Sequence, residues 1–271
     1  MKRSWLATPY AIWMILFTLV PLVFVVYYAF TTKAGAFTTA NFRKVFTPGN
    51  LQVLWDSLRL ALICTILCLL FGYPTAYFLS GKDFTHNQTL VVLILVPMWM
   101  NFLLRTYAMM TLLEDNGVLN TVLETLGFAK MKLIGTEGAV ILGMVYNFLP
   151  FMVLPIYTVL KKLDSRVIEA AEDLGANPVK VFTKVVVPLS IPGIVSGVTM
   201  VFMPAVTTFA ISRMLGSGMI YLVGDMIEDY YITFTNRQIG SALSLVMLIL
   251  VMLSIGLLRR VDPKGEGGGM W

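Results

Sequence analysis

Long apolar runs separated by short polar segments set the pattern of this chain. Six runs reach the roughly 20 helical residues needed to cross a hydrocarbon core of about 30 Å. They lie over Tyr10 to Thr31, Ser57 to Ser80, Thr89 to Leu113, Gly138 to Leu160, Ile191 to Leu215 and Ile239 to Leu258. Each is continuous rather than alternating at period two, which predicts helices and excludes a barrel, because a backbone in lipid must satisfy its own hydrogen bonds. The expectation is an all-α polytopic membrane protein, residues 1–271, with six transmembrane helices in a single transmembrane domain. Met1-Lys-Arg3 followed by apolar sequence has the outline of a secretory signal. The run after it is too long for a signal core and lacks a small-x-small cleavage site, so it reads as an uncleaved first helix.

The segment from 163 to 190 breaks the apolar pattern and carries its own helix punctuation. Asp164 or Ser165 can accept from the free amides of a first turn. Val167, Ile168, Ala171 and Leu174 then recur at helical spacing, with Arg166, Glu169, Glu172 and Asp173 over the remaining surface. Gly175 stands where a left-handed residue ends a helix. Asn177 and Pro178 read as the cap and first residue of a second short helix, and Pro188 and Pro192 are expected to redirect the chain into the fifth span. The result is two short helices at an angle, with small residues Ala170, Ala171 and Gly175 at the bend.

Charge supplies the orientation. An even number of crossings puts both termini on one side. If that side is cytoplasmic, the inside segments hold eleven Lys and Arg (positions 2, 3, 82, 161, 162, 166, 180, 184, 259, 260 and 264) against six outside (33, 43, 44, 130, 132 and 237). Arg59, Arg105 and Arg213 fall within the spans. The bias places the termini and the 163–190 segment in the cytoplasm, so the net charge of +5 reports topology, and no nucleic-acid partner is expected. Hydrophobic residues make up 58% and charged residues 13% of the chain, which excludes an ordinary soluble domain. The only histidine, His86, lies in a polar turn, and Cys64 and Cys68 sit four apart inside an apolar run as packing residues. No metal site is expected. The tail, Lys264-Gly-Glu-Gly-Gly-Gly-Met-Trp271, reads as flexible.

Glu169-Ala170-Ala171, Gly175 and Pro188, with Val185 and Val187 standing where the pattern has Ile and Leu, resemble the EAA motif of the membrane subunits of binding-protein-dependent ABC importers. The resemblance implies a type I importer permease fold in the bacterial cytoplasmic membrane. It also implies that the coupling loop, from Glu169 through Asp173 and Gly175, docks in a cleft of a separate ATPase. Further stretches extend it: Gly72-Tyr-Pro-Thr-Ala-Tyr77, Leu95-Val-Pro-Met-Trp99, Leu104-Arg-Thr-Tyr107, Tyr146-Asn-Phe-Leu-Pro-Phe-Met-Val-Leu-Pro155 and Met203-Pro-Ala205. With these the chain most resembles the B-type permease of bacterial spermidine/putrescine importers. The partners implied are a second permease, as a heterodimer, two copies of a cytoplasmic ATPase and an extracytoplasmic polyamine-binding protein. No G-x-x-x-x-G-K-[ST] occurs here, so ATP and Mg belong to the ATPase, and this chain is expected to bind no cofactor and to catalyse no reaction.

A polyamine pathway wants carboxylates, carbonyls and aromatic faces, the last through cation–π attraction of about 0.5–2 kcal/mol per contact. Trp99, Asn101 and Tyr107 in the third span, Tyr146 and Asn147 in the fourth, and Thr207 and Thr208 after Pro204 are the candidate lining. Interfacial anchoring or plain packing is the competing reading for Trp99 and Tyr107. Between the last two spans Asp225, Glu228 and Asp229 fall on one helical face beside Tyr230 and Tyr231, giving a negative surface at the outer mouth, or only a solvated acidic face. Arg105 suits a cation poorly. It reads as structural, paired with Glu114 or Asp115 or reaching outward, and it keeps open a related importer of iron, thiamine, phosphonate or another anion. An ion-coupled secondary transporter would want paired carboxylates within the spans, and an intramembrane enzyme a nucleophile and base; neither constellation is present.

Overall fold

The computed structural model describes residues 8–81 and 88–261. Regular structure in them is helical apart from one isolated bridge between Thr31 and Phe37. His86, Lys82, the first seven residues and the glycine-rich tail lie outside the described residues. The chain runs through α1 (Thr8–Met14), a π-helical turn (Ile15–Leu19), α2 (Val20–Ala29), α3 (Ala40–Val45), α4 (Pro48–Ser80), α5 (Gln88–Trp99), α6 (Phe102–Leu113), α7 (Val118–Thr125) and α8 (Glu137–Lys161). It continues through α9 (Ser165–Asp173), α10 (Pro178–Val181), a second π-helical turn (Phe182–Val186), α11 (Val187–Thr207), α12 (Ala210–Leu215), α13 (Val223–Tyr231) and α14 (Arg237–Val261). Among the described residues five helical stretches are long and apolar enough to cross a membrane, and six if α5 and α6 count as one bent span.

Three of the expected spans need correction. The third is not one helix over 89–113: it breaks at Met100–Asn101 and turns by 93°. The Asn101 side chain accepts from the amides of Leu103 at 2.8 Å and Leu104 at 3.2 Å, so it starts a new helix inside an apolar run. The fifth span ends at Thr207 rather than Leu215, because Thr208 is extended and α12 begins separately. Its start also differs. Pro188 and Pro192 do not redirect the chain: helix runs without a break from Pro178 to Thr207. The wider π turn over 182–186 immediately precedes Pro188, which lacks the amide that a regular i to i−4 ladder would need. The second span starts earlier than expected, at Pro48, and its first turns stand beyond the apolar run.

The core lies where α4, α8 and α11 cross. Met144, Met152, Val153 and Ile156 of α8 are fully buried there, with Leu60, Ala61, Cys64 and Cys68 of α4 and Val201 and Ala205 of α11. Lipid tails are as apolar as these side chains, so close packing rather than expulsion of water holds the helices together. Gly193 and Gly197, one turn apart on α11, make that packing possible. A Cβ at Gly193 would stand 3.0 Å from the Ile156 Cα and the Pro155 carbonyl oxygen, and one at Gly197 3.1 Å from the Met152 carbonyl oxygen. Polar links are few: Tyr73 and Ser190 hydroxyls meet at 2.9 Å across α4 and α11.

Replacing Gly193 with Leu forces α11 away from backbone atoms that cannot yield. The variant is expected to lose at least the roughly 1–3 kcal/mol of core overpacking, seen as a lower melting temperature in detergent. Gly256→Ala on α14, where a Cβ meets nothing within 4 Å, should leave it unchanged or raised.

Candidate functional site

The polar segment before α11 folds as its punctuation predicts. The Asp164 carboxylate accepts from the Arg166 amide at 3.0 Å and pairs with the Arg166 guanidinium at 3.0 Å. Those bonds from Arg166 hold the Asp164 carboxyl below the usual carboxylate range. At the other end of α9, Gly175 has φ +82°. Its amide donates to the Glu172 carbonyl at 2.8 Å, and the Ala176 amide to the Ala171 carbonyl at 3.1 Å, the paired closure that a left-handed residue permits. Asn177 then caps Lys180 at 2.9 Å with Pro178 in the first turn. No residue of α9 is buried. Glu169, Ala170, Asp173, Gly175 and Pro188 are exposed and Ala171 half-buried, while Leu174 is 89% exposed. The knob therefore offers an apolar tip, small residues and carboxylates outside the bundle, and α10 joins it directly to the π turn and α11.

The candidate lining residues divide into two groups. Trp99, Asn101, Tyr107, Tyr146 and Thr207 are exposed on the isolated chain; Asn147, Thr208 and Asp225 are buried within it. The Asn147 amide donates to the Gly143 carbonyl at 2.9 Å and the Thr106 hydroxyl at 3.4 Å. That second bond sets the exposed aromatics on either side of it, Tyr107 and Tyr146, at one height on neighbouring helices α6 and α8. Asn101 spends its carbonyl oxygen as a cap, and the Thr207 hydroxyl donates to the Met203 carbonyl at 3.1 Å. Arg105 does not pair with Glu114 or Asp115, nor does it reach outward. It is 6% exposed, and its Nε and Nη1 have no acceptor among the described residues. Glu114 instead ends α6, more than two turns away.

At the mouth between α11 and α14, Asp225, Glu228 and Asp229 do share a face of α13, but Arg213 of α12 folds over it. Its guanidinium lies 3.7 Å from Asp225, 3.2 Å from Glu228 and 3.0 Å from Asp229. Asp225 is only 2% exposed and accepts from the Leu222 amide at 2.9 Å, and burial pushes its carboxyl up. Partial burial also raises Asp229, but bonds from Tyr221, Thr233 and Arg213 outweigh it and leave that carboxyl lowered. Tyr221, whose hydroxyl donates to Asp229 at 2.9 Å, connects this cluster to a second one. It lines a cleft of 280 Å³ with Gln52, Asp56 and Glu137, where Arg59 pairs with both carboxylates. Sequence reasoning missed Asp56, Arg59, Glu137 and Tyr221. The i, i+3 spacing of Asp56 and Arg59 was the one signal available; the partner Glu137 is 78 residues away. Among the described residues no group of three or more His, Cys, Asp or Glu side chains could hold a metal ion.

Arg213→Met should destabilise this mouth by about 1–3 kcal/mol or more, the cost of stranding a buried acceptor. Without the guanidinium, Asp225 must be desolvated unpaired, so its folded pKa rises further above the unfolded value. A carboxyl raised in this way loses stability as pH climbs through the folded pKa. Melting curves at pH 5 and pH 8 should show the larger loss at pH 8.

Comparison with known proteins is consistent across the whole chain. A family model for the binding-protein-dependent transport system inner membrane component matches residues 2–266. Among curated relatives, the spermidine/putrescine transport system permease protein PotB of Haemophilus influenzae is 39% identical over 258 residues, 92% of this chain and 90% of its own. PotB of Escherichia coli is 35% identical over 251 residues, 90% of this chain and 91% of its own. Among solved structures, a bacterial ABC transporter for the acidic polysaccharide alginate aligns over 96% of this chain and 97% of its own with TM-score 0.77 at 18% identity. The MetNI methionine ABC transporter aligns over 78% and 95% with TM-score 0.60, also at 18% identity. At those identities the two structures speak for the fold alone. This multi-pass inner membrane protein belongs to the binding-protein-dependent transport system inner membrane component family.

Proposed function

We propose that this chain is half of the pore of an ATP-driven polyamine importer. In this reading a second, similar permease supplies the other half, and two copies of a cytoplasmic ATPase drive the pair. A binding protein on the outer side delivers spermidine or putrescine, and both termini lie in the cytoplasm. The observation that carries the drive is the knob over 164–177. It is capped at each end, stands outside the bundle, and continues into the helix that ends at Thr207 beside the outer mouth. A cleft on an ATPase that grips Leu174 and the small residues around it would hold one end of that rod. The substrate class is supported by the two relatives, whose names specify spermidine and putrescine and whose similarity extends over nine-tenths of the chain.

The exposed lining group fits a pore shared with a mate. Trp99, Tyr107 and Tyr146 offer aromatic faces to a polycation, with Asn101 and Thr207 between them. Asn147, Thr208, Asp225 and Glu228 act one step behind, through packing and field. Arg105, sealed within the chain, presents no charge to the path.

Two measurements test this reading. Proteoliposomes carrying the complete complex should take up labelled spermidine or putrescine only with ATP inside the ATPase compartment; uptake that persists without ATP means an ion-coupled carrier. Gly175→Val places a β-branched residue at positive φ, at a local cost of about 1–2 kcal/mol, with open space around it. It is expected to lower transport at least tenfold by weakening ATPase copurification, while thermal stability of the isolated chain changes little. Full transport with normal copurification would remove the knob from the mechanism.

A further inference from the structure

On the face of α4 opposite the cleft lined by Gln52 and Asp56, the first three turns carry an apolar stripe at helical spacing, Leu51, Leu54, Trp55 and Leu58. With Phe46 of the α3–α4 corner and Val246, Ile249 and Leu250 of α14, this stripe walls a groove of 420 Å³ that is apolar throughout. That volume is in the ordinary range of ligand pockets, about 300–1,000 Å³. Its depth in the membrane follows from the opposite face. Arg59, one residue beyond the stripe, pairs with Glu137, the first residue of α8. On its α14 side the groove reaches residues midway along that span, and on its α4 side it is therefore level with the end of a membrane-crossing helix, at the boundary between hydrocarbon and headgroups. Trp55, 67% exposed, is the kind of residue that settles at this depth.

Two cations lie on the short helix that leads into Phe46 at the edge of the groove. Arg43 and Lys44 form the last turn of α3, and α3 packs on α14. Arg43 lies three residues before Phe46, on the same helical face. Both are exposed, and neither forms an ion pair among the described residues.

We propose that this corner binds an anionic phospholipid, with one acyl chain in the groove between α4 and α14 and the phosphate held by Arg43 and Lys44. An apolar slot beneath two free cations matches that amphiphile and no soluble metabolite; a zwitterionic lipid would bring its own cation to the same rim. The site depends on the bilayer and not on what the transporter carries.

Trp55 is a built-in reporter. The full chain, with Trp5, Trp13, Trp99 and Trp271 replaced by Phe, is reconstituted in bilayers containing phosphatidylglycerol or phosphatidylcholine brominated on the acyl chains. Half-quenching by the anionic lipid is expected at a mole fraction lower by roughly fivefold per basic residue, the preference that one Lys or Arg near an anionic surface confers. The double variant Arg43→Gln, Lys44→Gln should quench alike with both lipids, with its melting temperature unchanged as evidence that it folds. Inorganic phosphate at constant ionic strength should not relieve the quenching. Equal quenching of the parent chain by both lipids, a preference that survives the double variant, or relief by inorganic phosphate each overturns the proposal. The same measurement on the complete transporter separates the remaining occupant: loss of quenching there assigns the groove to a protein neighbour and overturns it as well.

Discussion

Two glycines one turn apart, Gly193 and Gly197, bring α11 against the backbone of α8 at a distance that larger side chains would prevent, and the rest of the subunit is arranged about that crossing. In lipid this is the available way to bind helices tightly, since burying a leucine against another leucine gains little over burying it against an acyl chain. The crossing fixes the middle of a continuous helical rod from Pro178 to Thr207. At its N-terminal end the rod carries the knob capped by Asp164, Gly175 and Asn177. At its other end Thr208 breaks the helix, and the hairpin with Arg213 begins. Through that unbroken helix the knob and the Thr208 break are joined on either side of the crossing. The π turn between Phe182 and Val186 lies one turn before Pro188, and the helix stays continuous past that proline as it does past Pro192 and Pro204.

How much of this was legible in the sequence depends on the range of the interaction. The knob was read correctly residue by residue because caps act within four positions: Asp164 on Arg166, Gly175 on Glu172, Asn177 on Lys180. The long apolar runs over 138–160 and 239–258 gave α8 and α14 to within a few residues because length and apolarity determine whether a helix can cross. Direction inside an apolar run was not legible. Asn101 read as a polar lining residue, yet its carbonyl caps a helix that turns away by 93°; nothing in the surrounding composition distinguishes a cap from a lining. Pro188 illustrates the converse error. A proline after a polar segment reads as a corner, yet the helix continues past it with one widened turn just before.

The charges show the same limit from the other side. Asp225, Glu228 and Asp229 were placed on one face correctly, since three- and four-residue spacings do that in any helix. Their pairing with Arg213 is not visible from sequence, because the apolar run over 191–215 places Arg213 inside a span. Arg105 was expected to find Glu114 or Asp115, its nearest carboxylates in sequence. Once α6 is a separate helix, Glu114 lies at its far end, and a guanidinium in the first turn cannot reach it.

These placements bear on substrate charge in a way the fold itself does not. A structure with the same fold imports an acidic polysaccharide, so the arrangement of helices sets no preference for cations or anions. This chain adds to that fold a cluster of ionic groups on and beside the segment between α11 and α14. Two networks meet through Tyr221: Asp56 and Glu137 about Arg59, and Asp225, Glu228 and Asp229 about Arg213. Five carboxylates face two guanidiniums, an excess of acidic groups. Each arginine gathers its carboxylates within 3.7 Å, so the acidic groups are held close together. Fixed charge beside low-dielectric walls focuses its field into the cleft it lines. Such a field favours a cation over an anion at that cleft before any side chain makes contact.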